Sequence, residues 1–294
     1  MRKNLLALSI AAMVGGLSGA ANAAVIATGT ANGLAINPQG VGHILTVPYF
    51  STQGNNKTLL SITNTDTTNG KAVKLRFRGA ANSDDIFDIT VFLSPGDVWT
   101  ADVAADGDIS RLATSDTSCT LPSAQDIKDL GGKFKTNRVQ GAAAAQTREG
   151  YVEILNTADI APGTGVAGAN SALYTAIKHV NGKAPCTAAV MDAQATELAN
   201  AADAATRGYA HPTGQLMANW ILVNVDGMAS HSGEAVAVRA VNAAGANAAG
   251  NIVWFPQTTD APTAGAVNTL TADPLLQSPG FAAEVANYDF PDLS

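Results

Sequence analysis

Charge is what this sequence has least of. Asp, Glu, Lys and Arg make up 14% of its 294 residues, where a soluble domain usually carries about a quarter. Cations are the scarcer sign: 17 Lys and Arg stand against 24 Asp and Glu, a net charge of −7. So acidic a chain is a poor partner for nucleic acid or an anionic membrane, and neither is expected. Aromatic residues are few as well, at 5%. With no aromatic girdle and too few long alternating strands, an outer-membrane porin is not expected either. Histidine occurs four times, and His43, His179, His211 and His231 stand far apart without ligand-type spacing. The G-x-S-x-G elbow, H-E-x-x-H and the phosphate loop are missing. No catalytic residue is assigned, and the expectation is a protein that is not an enzyme.

What is present begins at the N-terminus. Arg2 and Lys3 form a basic head, Leu5 to Val14 an apolar run, and Ala21-Asn22-Ala23 an A-x-A cleavage site. This is the three-part pattern of a secretory signal peptide over residues 1–23. Its apolar core is too short to span a bilayer, and no stop-transfer segment follows. An exported protein that does not span the membrane is expected. Without the leader, 15 Lys and Arg remain against 24 Asp and Glu, a net charge of −9. Both cysteines, Cys119 and Cys186, lie behind the leader. An even count in an oxidising compartment reads as one disulfide, closing a loop worth about 4 kcal/mol in the chain-entropy model.

Residues 24–41 are small, polar and aperiodic, and read as an N-terminal arm. Strand signals then come at close spacing. His43 to Phe50 and Thr58 to Thr63 are followed by turn chemistry at 66–70. From Lys71 to Arg78 the pattern has a period of two: Val73, Leu75 and Phe77 on one face, Lys74, Arg76 and Arg78 on the other. Ile86 to Leu93 repeats it, and Val98 to Val103 carries Trp99. Such alternation suits half-buried antiparallel strands. Ala188 to Thr206 is Ala-rich with apolar spacing near 3.6 and predicts a helix. Leu216 to Val225, Glu234 to Val241 and Ile252 to Phe255 return to strands. The expectation is a mainly β protein: an antiparallel, immunoglobulin-like β-sandwich over residues 42–257, with a small helical insertion around 104–210 pinned by the disulfide. Gly70–Arg76 and Gly233–Arg239 resemble each other and suggest two related β-units. Residues 258–294, rich in Pro, Thr and Ala, read as an extended C-terminal tail.

Two clusters could bind something. Asp102, Asp106 and Asp108 bracket Gly107, and an Asp/Gly loop can wrap Ca²⁺ with oxygen ligands; solvated turn acids are the competing reading. Lys74, Arg76 and Arg78 form a cation row whose repulsion needs an offset. Asp88 on the next strand is one source, and lipopolysaccharide phosphates or an acidic neighbouring subunit are others. A plain solvated face competes here too.

Three segments carry a resemblance: GHILTVPYFSTQGNNKTLLSITNTD, GKAVKLRFRGAANSDDIFDITVFLSPGDVWTADV and the terminal NYDFPDLS. They resemble exported surface-layer proteins of Gram-negative bacteria, of the type that coats outer-membrane vesicles and tubular nanopods. The resemblance covers most of residues 41–103 and is looser elsewhere. It implies a non-catalytic subunit that associates with itself into a lattice at the cell or vesicle surface. It carries no site residues. In that family, chains are expected to run on past a segment like NYDFPDLS, with which this sequence ends. The rival from another class is a secreted carbohydrate-binding module or adhesin acting as a monomer. That reading needs exposed aromatic rings on one sheet face, and Trp99, Trp220 and Trp254 are explained more simply as core residues.

Overall fold

The computed structural model describes residues 24–254, apart from 28, 82, 84, 137, 138 and 197. The signal peptide and the tail over 258–294 therefore lie outside the described residues. In chain order the strands are β1 (Ala24–Ala27), β2 (Gly33–Asn37), β3 (Ile44–Ser51), β4 (Asn56–Asn64), β5 (Gly70–Gly79), β6 (Asp85–Leu93), β7 (Val98–Asp106), β8 (Ile109–Ala113), β9 (Cys119–Leu121) and β10 (Glu149–Ile160). After them come β11 (Tyr209–Ala210), β12 (Leu216–Asn224), β13 (Ala229–Glu234), β14 (Val236–Val241) and β15 (Ile252–Trp254). Among the described residues four short α-helices interrupt them: α1 (Ala124–Asp129), α2 (Ala172–Ile177), α3 (Ala188–Gln194) and α4 (Ala201–Thr206).

The strands form a large sheet in the order β2-β14-β3-β10-β5-β6-β9, with β11 also paired to β10, and a smaller one in the order β13-β12-β4-β7-β8. A two-stranded β1-β15 ribbon completes the set, and all pairings are antiparallel. The fold is the expected mainly β sandwich with a small helical insertion. Its core lies between the two large layers. Val73, Leu75 and Phe77 of β5 meet Ile89 and Val91 of β6, Leu60 and Ile62 of β4, and Trp99 of β7 there. Phe50, Phe77, Phe87 and Phe134 make an aromatic cluster, with ring centroids 4.8 to 5.9 Å apart. The turn into β7 follows its residues: Pro95 and Gly96 occupy its middle, and Gly96 has φ +70°, a conformation open to glycine without strain.

A second apolar cluster covers the other face of the large sheet. Ala72, Phe92, Ala158 and Ile160 look away from the sandwich core and are buried by Leu173, Ile177, Met191, Leu198 and Ile252. Those covering residues come from the insertion and from the β1-β15 ribbon. The disulfide forms as expected between Cys119 and Cys186, 67 positions apart. It ties β9, at the edge of the large sheet, to the loop before α3.

Two expectations need correction. The 24–41 segment is no free arm: it supplies β1, paired with β15, and β2, paired with β14. A short strand at a sheet edge is stabilised by the backbone of its neighbour, which its own composition does not display. The helix predicted over Ala188–Thr206 is two helices. Asn200 accepts hydrogen bonds from the amides of Ala202 and Asp203 and starts α4 afresh, while Arg207 Nη1 donates to the carbonyls of Ala193 and Thr196 and holds the break. The two resembling segments fall on β5 and at the β13–β14 junction; β5 and β14 belong to the same sheet, with β3 and β10 between them.

Candidate functional site

The cation row stands on the face of β5 turned away from the sandwich core, as its alternation requires. It is not a solvated or contact surface, however, because the insertion roofs much of this face. Lys74 is 1% exposed and Arg78 5%. Each cation meets a carboxylate from a neighbouring strand. Lys74 Nζ lies 2.8 Å from Asp88. Arg76 donates to Asp85 through Nε (3.0 Å) and Nη2 (2.7 Å). Arg78 Nε reaches Glu153 at 3.1 Å. Burial pushes the Lys74 ammonium pKa down against the pull of Asp88. Burial likewise pushes the Asp88 carboxyl up, against the pull of Lys74. Charges so enclosed hold strands in register and are poorly placed to meet phosphates, so Lys74, Arg76 and Arg78 are reassigned from surface contact to internal pairing.

A second buried network, which the sequence reading did not find, closes the end of the sandwich where β4 turns into β5. Lys71 Nζ lies 2.7 Å from Asp159, 3.2 Å from Asp66 and 2.8 Å from Thr213 Oγ1. Asp159 also accepts from the Thr213 hydroxyl at 2.6 Å and from Asn156 Nδ2 at 3.1 Å. Burial raises the Asp66 pKa, but the amides of Thr68 and Asn69, the Asn69 side chain and Lys71 outweigh it and hold it down at about 2. His43 is pinned between the Pro212 carbonyl and the Ala240 amide, and burial lowers its pKa. All these groups serve one another.

The Asp102, Asp106 and Asp108 cluster does not converge on a cation. Asp106 pairs with Ile109 across the β7–β8 hairpin, leaving Gly107 and Asp108 as a two-residue turn, with Gly107 at φ +64°. Glycine at the first central position is the expected chemistry of such a turn. Asp102 sits four residues back along β7, roughly 13 Å away at strand rise, and Asp106 pairs with Lys133 at 3.1 Å. Among the described residues no three His, Cys, Asp or Glu side chains form a metal-holding group.

Two constellations resemble catalytic ones in composition alone. His179 meets Ser94 Oγ (2.9 Å) and Asp97 Oδ2 (3.3 Å), both through Nδ1. A relay needs Ser and Asp on opposite ring nitrogens, so this is a turn-stabilising contact. Gly163-Thr-Gly-Val-Ala-Gly168 spells G-x-G-x-x-G after β10, a pattern the sequence reading passed over. A dinucleotide fold requires a parallel βαβ unit, whereas β10 has only antiparallel neighbours, and the helix that follows has six residues. A cleft of about 710 Å³ flanks the disulfide, lined by Asp116, Asp126, Asp192 and Lys183 among others. Asp126 is engaged in the capping box of α1 with Ser123, and Asp116 accepts from Ser118 and from the Thr100 amide.

The feature that remains is a surface. The outward face of the smaller sheet is arranged in rows across its strands. Ser232, Ile221, Leu59 and Asp102 form one, Asn219, Ser61 and Thr100 the next, and Met217, Thr63 and Val98 a third. Leu59, Val98 and Ile221 are 39%, 44% and 41% exposed. Charge appears as Asp102 and Glu234 at the ends of the first two rows, and as Lys57 and Arg111 in the row beside the first. Trp220 turns inward against the core and Trp99 is fully buried; Trp254 lies against the second cluster. No helix among the described residues is long and apolar enough to cross a membrane. The chain matches no family model, no curated protein and no solved structure.

Proposed function

We propose that this protein is an exported, non-catalytic surface-layer subunit that self-associates on the outer cell or vesicle surface. The observation that carries the reading is the outward face of the smaller sheet. Three of its strands have nine residues each. At about 4.8 Å per strand and 3.4 Å per residue, these three together with the shorter β8 and β13 present roughly 600 Å². A stable interface takes about 800 Å² from each partner, so this face approaches that size. Apart from Asp102 and Glu234 at their ends, its three rows hold Ser, Thr, Asn, Met and aliphatic side chains, which carry no charge to desolvate and place no like charges opposite one another. Pairing acids with cations inside the fold keeps those charges off the contact surface. The disulfide suits an oxidising compartment and the N-terminal pattern suits export. A monomeric carbohydrate-binding module would be expected to show stacked aromatic rings on such a face, and its three central rows contain none. Electron microscopy of the purified mature protein tests the proposal. Periodic sheets or tubes are expected; dispersed single particles at every concentration would contradict it.

A further inference from the structure

The insertion and the β1-β15 ribbon cover only part of the large sheet's outward face. Where that cover stops, an apolar strip crosses four strands in register: Leu34 and Ile36 on β2, Val236 and Val238 on β14, Ile44 on β3 and Leu155 on β10. Leu34 is 53% exposed, Ile36 72% and Val236 49%. Its last strand, β2, is also an edge of the sheet: among the described residues only β14 pairs with it. Exposed, apolar and at an edge, such a strand is an association hazard unless something covers it.

The position of the last described residue points to the cover. Leu155 is the cross-strand partner of Lys74, and Lys74 lines a small cavity together with Trp254, the end of β15. The chain therefore passes Trp254 about one strand away from the strip, and 40 residues follow. They open with Phe255, include Phe281, Tyr288 and Phe290, and contain no Lys or Arg. Crossing four strands takes about 19 Å, some six extended residues, so the length is ample.

We propose that the segment beginning at Phe255 docks on this strip of its own subunit. Tethering next to the strip gives the segment an effective concentration in the millimolar range, above that of a second copy in dilute solution. Apolar side chains of the segment would cover Ile36 and Val236, and its backbone would pair with the open edge of β2 as an added strand. The inference does not depend on self-assembly.

Hydrogen exchange followed by mass spectrometry tests it, on the mature chain, on a chain ending at Trp254, and on the full-length Ile36→Asp variant. Amides of β2 are expected to exchange at least tenfold faster in the shortened chain. Ile36→Asp should reproduce that change while β5 and β10 keep their protection, which shows the sandwich intact; it carries the test if the shortened chain fails to fold. Equal exchange of β2 in the wild-type chain and the Ile36→Asp variant would overturn the proposal. Protection of β2 that rises with protein concentration would overturn it too, by assigning the strip to a neighbouring copy.

Discussion

Replacing Lys74 by Met leaves the Asp88 carboxylate buried without the ammonium that now sits 2.8 Å away. Asp88 is itself only 1% exposed, so losing that ammonium drives it toward its protonated, uncharged form. That proton uptake costs about 1.4 kcal/mol for each pH unit above the ordinary Asp pKa of roughly 3.9. The ceiling on the penalty is therefore about 4 kcal/mol at pH 7 and about 1.5 kcal/mol at pH 5. The sign follows from linkage. Between the two pKa values the folded variant binds more protons than the unfolded chain, so its stability falls as pH rises. Urea denaturation of wild type and Lys74→Met at pH 5 and pH 7 reads the difference. A second variant, Lys74→Met with Asp88→Leu, removes both charges and keeps the volume; it is expected within about 1 kcal/mol of wild type and without the pH dependence. A Lys74→Met penalty of a few tenths of a kcal/mol at pH 7 would refute the buried pair, as would a double variant no more stable than the sum of its single changes.

Phe77→Ala removes a fully buried ring that touches three other Phe residues and should cost about 3–5 kcal/mol in the same assay. Arg76→Ala, on the opposite face of β5, should cost about 3 kcal/mol, because it strips the fully buried Asp85 of a guanidinium 2.7 Å away. Asp66, held at about pKa 2 in the fold, contributes stability that is present above roughly pH 4 and is lost as pH falls toward 2. Asp66→Asn should flatten the acid limb of a stability–pH curve, removing about 1–2 kcal/mol of its fall. Replacing Cys119 and Cys186 by Ala should lower stability by about 4 kcal/mol, since their bond closes a loop between positions 67 apart.

The two sides of β5 and β6 were legible because a strand places successive side chains on opposite faces, and the alternation at 71–78 and 86–93 is nearly unbroken. Alternation does not say what lies over the polar side. Lys74 looks solvated in sequence, yet it shares a small cavity with Gln194 of α3, Leu198 and the β15 residues Ile252 and Trp254, all more than 100 residues away. The disulfide was readable from cysteine count and compartment. The single helix over 188–206 misled because helical spacing in an Ala-rich run does not register a break made by Asn200 and Arg207. The strands at 24–27 and 33–37 were missed because their stability comes from the partner backbone. Nothing short of the pairing register could have assembled the outward face of the smaller sheet, whose central rows draw residues from β4, β7 and β12. Lys71, Asp66 and Asp159 were equally invisible as a group, since turns and a bulge in β10 bring them together.

Light scattering on purified mature protein, with Ile221→Lys beside wild type, tests the central claim most directly. Ile221 stands beside Leu59 on this face and is already part-exposed, so lysine there leaves the fold intact while placing a new charge in the proposed contact. Wild type should gain mass with concentration, and Ile221→Lys should remain monomeric with an unchanged denaturation midpoint. A wild-type chain that stays monomeric across the whole concentration range would contradict the account.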